Sequence, residues 1–123
     1  MRIIDAIGRI NRLKPNAYAI QDKVWWLSTL DGRIKKDIID THEGGEDVIF
    51  TGYSEDGDTA IDLLVPTPYD TLYIYWLEAQ IDYANGEYSK YSNSMTMFNE
   101  AYSAFEKYYN RNHMPKGKKF KFF

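Results

Sequence analysis

YSKYSNSMTMFNEAYSAFEKYY, residues 88–109, is the stretch that decides the fold. Tyr88, Tyr91, Met95, Phe98, Tyr102, Phe105 and Tyr109 recur at alternating steps of three and four, the spacing that lines one face of an α-helix as a coiled-coil-like seam. Ile74, Leu77, Ile81 and Ala84 repeat that spacing just upstream, and Asn85-Gly86 separates the two runs. Glycine is the usual residue after a helix end, so the runs predict two helices folded back as an antiparallel pair. The first of the two begins at Thr67-Pro68-Tyr69-Asp70. There Thr67 suits the cap, Pro68 the first helical position, and Asp70 the positive end of the helix dipole. This helix is expected to carry Leu72, Tyr73, Trp76, Leu77, Ile81 and Ala84 inward. Several tyrosine hydroxyls on the seam must reach water or an acceptor, which leaves part of it available to another subunit while the rest packs as core.

Upstream, Ile3, Ile4, Ile7, Ile10 and Leu13 lie on roughly one helical face, and Lys14-Pro15-Asn16 stops that helix. Ile20, Val24, Leu27, Ile34 and Ile38 continue the period, predicting a second helix that ends near Thr41, with Gly32 as a kink or a site of close contact. Gly44-Gly45 ends the helical region. Val48-Ile49-Phe50 and Ile61 to Val65 are short β-prone runs around a turn-rich stretch, Gly52 to Asp58. The expected fold is therefore mainly α. It is a four-helix domain with a long antiparallel C-terminal helix pair and a small β-hairpin or ordered loop between helices 2 and 3. Residues 1–115 form the domain and 116–123 a basic aromatic tail.

The chain has 123 residues, the size of one ordinary domain, and its 44% hydrophobic and 27% charged content is that of a folding protein. Cysteine is absent, which removes disulfides, thiolate nucleophiles and cysteine metal sites. No apolar run approaches the ~20 residues of a membrane span, and Met1 to Leu13 lacks a signal-peptide core. The expectation is a soluble protein. Two features stand out. Aromatic residues make up 16% of the chain, and no Lys or Arg occurs between Lys36 and Lys90 although acids recur throughout. By contrast, Lys116, Lys118, Lys119 and Lys121 interleave with Phe120, Phe122 and Phe123 with no acid among them.

No catalytic set emerges. Thr41-His42-Glu43-Gly44-Gly45 lacks the second histidine of a metalloprotease motif, His113 is remote in sequence, and a surface helix end or turn accounts for the pair. Glu55-Asp56-Gly57-Asp58 lacks the regular ligand spacing of a calcium loop and reads as a solvated turn. Neither a phosphate loop nor a nucleophile elbow is present. No enzyme activity, metal or cofactor is expected. The basic tail has three readings: a solubilising disordered end, a nucleic-acid contact, or a strand-like arm that orders against a neighbour. The Lys/Phe alternation favours the arm.

The chain resembles the head-tail connector, or head-completion adaptor, family of tailed phages and prophages of Gram-positive bacteria. The residues that carry the likeness are Trp26-Leu27-Ser28-Thr29-Leu30-Asp31-Gly32-Arg33, Leu64-Val65-Pro66-Thr67-Pro68-Tyr69-Asp70, and Tyr83-Ala84-Asn85-Gly86-Glu87-Tyr88 followed by Asn93-Ser94-Met95 and Phe98-Asn99. Asn110-Arg111 and Met114-Pro115 extend it, so that it covers roughly Ile3 to Pro115. The resemblance implies a virion protein, made in the host cytoplasm, whose copies form a ring beneath the portal. DNA would pass through without specific binding, and downstream connector or tail proteins would attach. A ring contact is heterologous, so each subunit needs two complementary patches. Trp25 and Trp26 are candidates because two adjacent tryptophans cannot both face one core; Lys116, Lys118, Lys119, Phe120, Lys121, Phe122 and Phe123 are the others. Glu55, Asp56, Asp58 and Asp62 are candidates for a lumen wall that repels phosphate. The alternative is a small prophage or bacterial module that binds protein or nucleic acid through an aromatic groove and the basic tail.

Overall fold

The computed structural model describes residues 1–117, which form four α-helices: α1 (Ile3–Leu13), α2 (Ile20–Asp37), α3 (Leu72–Ala84) and α4 (Tyr88–Asn112). The fold is mainly helical, as the periodicity predicts. α3 is apolar on nearly all sides, with Leu72, Tyr73, Ile74, Trp76, Leu77, Ala79 and Ile81 buried, and such a helix belongs at the centre of a bundle. It touches each of the other three helices.

α3 and α4 fold back as an antiparallel pair. Gly86 supplies the reversal at φ +75°, and the Glu87 amide donates to the Asp82 carbonyl at 2.9 Å. Phe98, Phe105 and Tyr109 of the seam are buried, Tyr91, Met95 and Tyr102 half-buried, and Tyr88 exposed. Trp76 packs on Phe98 with ring centroids 5.1 Å apart, and Tyr69 stacks on Tyr108 at 4.6 Å. Ala84, expected inward, is exposed in the last turn of α3.

Several boundaries move. α2 ends at Asp37, short of Thr41; its continuation tightens into a 3₁₀ turn, Ile39–Thr41, in which the Thr41 hydroxyl donates to the Ile38 carbonyl at 2.7 Å. At Gly32 the helix runs on without a kink, and a Cβ there would meet only the Phe50 ring of the following loop at 3.7 Å, an ordinary van der Waals distance, so this glycine marks neither a kink nor a close helix contact. On α1, Ile4 and Leu13 turn outward while Ala6 joins Ile3, Ile7 and Ile10 inside. α3 starts at Leu72, after a 3₁₀ turn at Tyr69–Thr71. Thr67 does not cap it: the Thr67 hydroxyl donates to the Asp70 carboxylate at 2.8 Å.

The segment between α2 and α3 is an ordered loop and not a β-hairpin; among the described residues there is no strand. The second β-prone run finds another partner. Residues 59–63 pair with the segment entering α1, through Ile4 N to Thr59 O, Ile3 N to Ile61 O and Leu63 N to Met1 O at 2.9–3.0 Å. That pairing satisfies the backbone groups a hairpin would have used.

Candidate interaction surfaces

The adjacent tryptophans of α2 face different environments. Trp26 is half-buried, edge-on to Tyr18 at 5.8 Å, and its carbonyl accepts the Trp76 indole N–H at 2.9 Å. Trp25 is 58% exposed. A tryptophan carries one of the largest apolar surfaces of any side chain, and its exposure on a helix is a feature of interaction sites. Beside it lies the acidic loop. Gln21 donates to Asp56 at 3.4 Å, and the Ser28 hydroxyl accepts the Tyr53 amide at 3.0 Å. Gln21 and Ser28 lie four before and three after Trp25, which places the indole on the helix face that the loop flanks.

The four acids proposed as a group separate. Glu55, Asp56 and Asp58 are exposed at the loop tip, whereas Asp62, also exposed, lies opposite Arg2 in an isolated antiparallel backbone bridge at the entry to α1. Lys116 is exposed at the far end of α2, where its ammonium lies 3.6 Å from Glu46 and its amide donates to the Thr41 carbonyl at 2.9 Å. Lys118, Lys119, Phe120, Lys121, Phe122 and Phe123 lie outside the described residues.

Buried polar groups hold these surfaces in place. Asp31, fully buried, accepts the Tyr73 hydroxyl at 2.6 Å, the Leu64 amide at 3.1 Å and the Tyr53 hydroxyl. Tyr73 in turn accepts the Val65 amide at 2.9 Å. The acidic loop is thereby tied to α2 and α3 through one carboxylate. Burial pushes the Asp31 carboxyl above the usual range, outweighing the three hydrogen bonds that favour the anion. The same burial, with the adjacent Asp31 charge, drives the Tyr73 and Tyr53 hydroxyls upward. Asp82, also fully buried, binds Lys14 and accepts the Ser94 hydroxyl at 2.9 Å, joining α1, α3 and α4.

His42 is not at the surface, contrary to the expectation for its motif. It is 4% exposed, its Nδ1–H donates to the Ile38 carbonyl at 2.5 Å, and Nε2 lies 2.6 Å from the Asn110 side-chain amide. Tyr109 meets it edge-on at 4.8 Å and stacks on His113 at 3.9 Å. The two histidines that are remote in sequence thus share one aromatic stack, and their groups are occupied in packing. Among the described residues no cluster of three or more His, Asp or Glu is placed to hold a metal ion. No helix among them is long and apolar enough to cross a membrane.

One exposed group went unnoticed in the residue pattern. At the tip of the α3–α4 hairpin Tyr83 packs against Tyr88 and Tyr91 at 5.6 and 5.3 Å, with Tyr83 and Tyr88 both mostly in solvent. Its signal was the seam itself, which starts at Tyr88 directly after the Gly86 turn. Comparisons with protein-family models, with curated proteins and with solved structures find no match.

Proposed function

We propose that this chain is a non-enzymatic virion subunit that works by assembly, forming a ring adaptor between the portal and tail of a tailed phage. The observation that carries this reading is a firm helical body bearing an exposed tryptophan beside an acid-only loop at one end of α2, with a basic aromatic segment leaving from the other. Head-to-tail association needs two unlike patches on one rigid subunit. The resemblance in the segments around Trp26, Thr67 and Asn85 supplies the phage context. The buried Asp31, Asp82 and His42 are each engaged in hydrogen bonds that join elements, which fits a structural protein. Its place is the virion, after assembly in the host cytoplasm. DNA would pass through the ring without specific binding, and Glu55, Asp56 and Asp58 are the acids on this surface available to repel phosphate.

Native mass spectrometry of the full chain with its cognate portal tests the proposal. A defined ring on the portal is the expected result. A chain that does not bind the portal, encoded by a gene away from portal, protease and capsid genes, would return the protein to the class of small binding modules.

A further inference from the structure

Between Lys36 and Lys90 the chain carries no Lys or Arg, and the exposed part of that stretch includes Glu55, Asp56 and Asp58 in the loop that reaches Gln21, one turn from Trp25, through Asp56. Asp22, one turn before Trp25, is also exposed. Among the described residues none of these four acids forms an ion pair. An apolar ring in a field of unpaired negative charge fits a partner that alternates aromatic and cationic groups, through stacking, cation–π contact and charge pairing. Lys118-Lys119-Phe120-Lys121-Phe122-Phe123 has that chemistry.

We propose that the Trp25 face of α2, with the loop around Asp56, receives residues 118–123 of a second copy of this chain. The inference rests on the assembly reading above and names the contact that would carry it. Geometry favours a second chain over the same chain as donor. The segment leaves from beside Thr41, where the Lys116 amide is held, whereas Trp25 lies twelve residues back from Asp37 along α2, roughly 18 Å at the helical rise. Phe120, three residues beyond Gly117, extends at most about 11 Å. Only the last residues of the segment could come near their own Trp25, and the lysines and Phe120 would be left behind. Donor and acceptor therefore sit at opposite ends of α2, and the contact is heterologous, so repetition generates a ring or a filament.

The test uses the full chain, isotopically labelled for NMR, titrated with an unlabelled peptide spanning Lys116–Phe123. The expected result is saturable shifts at the Trp25 indole and at the amides of Gln21, Glu55 and Asp56, weakened by salt. Trp25→Ala should weaken binding about tenfold or more, as expected for a central aromatic anchor. The triple change Glu55→Gln, Asp56→Asn, Asp58→Asn should weaken it in parallel while leaving the spectrum of the free protein folded. Shifts centred on Glu46 to Ile49 would mean that the segment lies back on its own exit, and would overturn the proposal. So would the absence of saturable shifts, binding indifferent to both variants, or a segment that shifts with a DNA oligonucleotide and not with Trp25. The two proposals fail separately. A portal-bound ring that forms equally well with Trp25→Ala removes this contact and keeps the connector; peptide binding at Trp25 without a portal ring does the reverse.

Discussion

At the scale of single residues, Asp31 decides more than its sequence neighbours suggest. It interrupts the apolar stripe of α2 between Leu27 and Ile34 and binds both the incoming loop and α3. Asp31→Asn replaces an acceptor of three bonds by a group that must present an N–H to one donor. It should cost about 1–3 kcal/mol of stability, the range for an imperfectly satisfied buried polar group, as read by urea unfolding. The pH dependence has a definite sign. Because the folded carboxyl titrates above its ordinary value, the native state holds the proton more tightly. The stabilisation of wild type relative to Asp31→Asn should therefore be greatest below about pH 4 and decline as pH rises through the folded pKa. A flat difference across that range would show that Asp31 ionises as freely in the native state as in the unfolded chain. The tryptophans give a second contrast. Trp76→Ala removes a buried ring packed on Phe98 and should cost about 3–5 kcal/mol. Trp25→Ala should change stability by no more than about 0.5 kcal/mol, as at an ordinary surface position.

At the scale of elements, the aromatic seam of α4 is graded. Phe105, toward its C-terminal end, is 1% exposed, while Tyr88 at its start is 63% exposed. Phe105→Ala should destabilise by about 3–5 kcal/mol and Tyr88→Ala by far less, measured by thermal or urea unfolding of both. The periodicity made the seam legible but weighted all seven positions alike. Tyr88 follows directly on the Gly86 turn, where α3 has already ended, so it meets only Tyr83 of the last turn of α3 and the Tyr83, Tyr88 and Tyr91 group sits at the tip of the hairpin. Gly44 and Gly45 show a similar division. Gly44 holds φ +84° in open space, so an alanine there incurs the left-handed penalty of about 1–2 kcal/mol. A Cβ on Gly45 would stand 2.3 Å from the Ile39 carbonyl oxygen, a backbone atom that cannot swing aside. Gly45→Ala should lower the melting temperature more than Gly44→Ala; the reverse order would mean that the 3₁₀ turns shift freely. Both glycines read as a helix stop although α2 already ends at Asp37, and which of them is crowded depends on how the chain returns past Ile39.

At the scale of the whole molecule, the end of α4 and the end of α2 close on each other. The Glu43 amide donates to the Met114 carbonyl at 2.8 Å, Lys116 returns a bond to Thr41, and His113 covers Tyr109 above buried His42. Deleting everything after Asn112 should cost about 1–3 kcal/mol by uncovering that buried polar group, whereas a chain ending at Gly117 keeps every one of these contacts and serves as the control in urea unfolding. This closure also places the start of the basic segment at the end of α2 remote from Trp25, the relation on which a head-to-tail contact depends. The helices, their antiparallel pairing and the breaks at Pro15 and Gly86 were set by the sequence alone, because each follows from local spacing or from the backbone freedom of one residue. Only the tertiary structure decided that Trp25 faces out while Trp26 packs, that His42 and Asp31 are buried, and that residues 59–63 pair with the chain entering α1 and not with Val48 to Phe50. Those outcomes rest on partners tens of residues away, and burial belongs to the packed whole, where no window of sequence records which surface another element will cover.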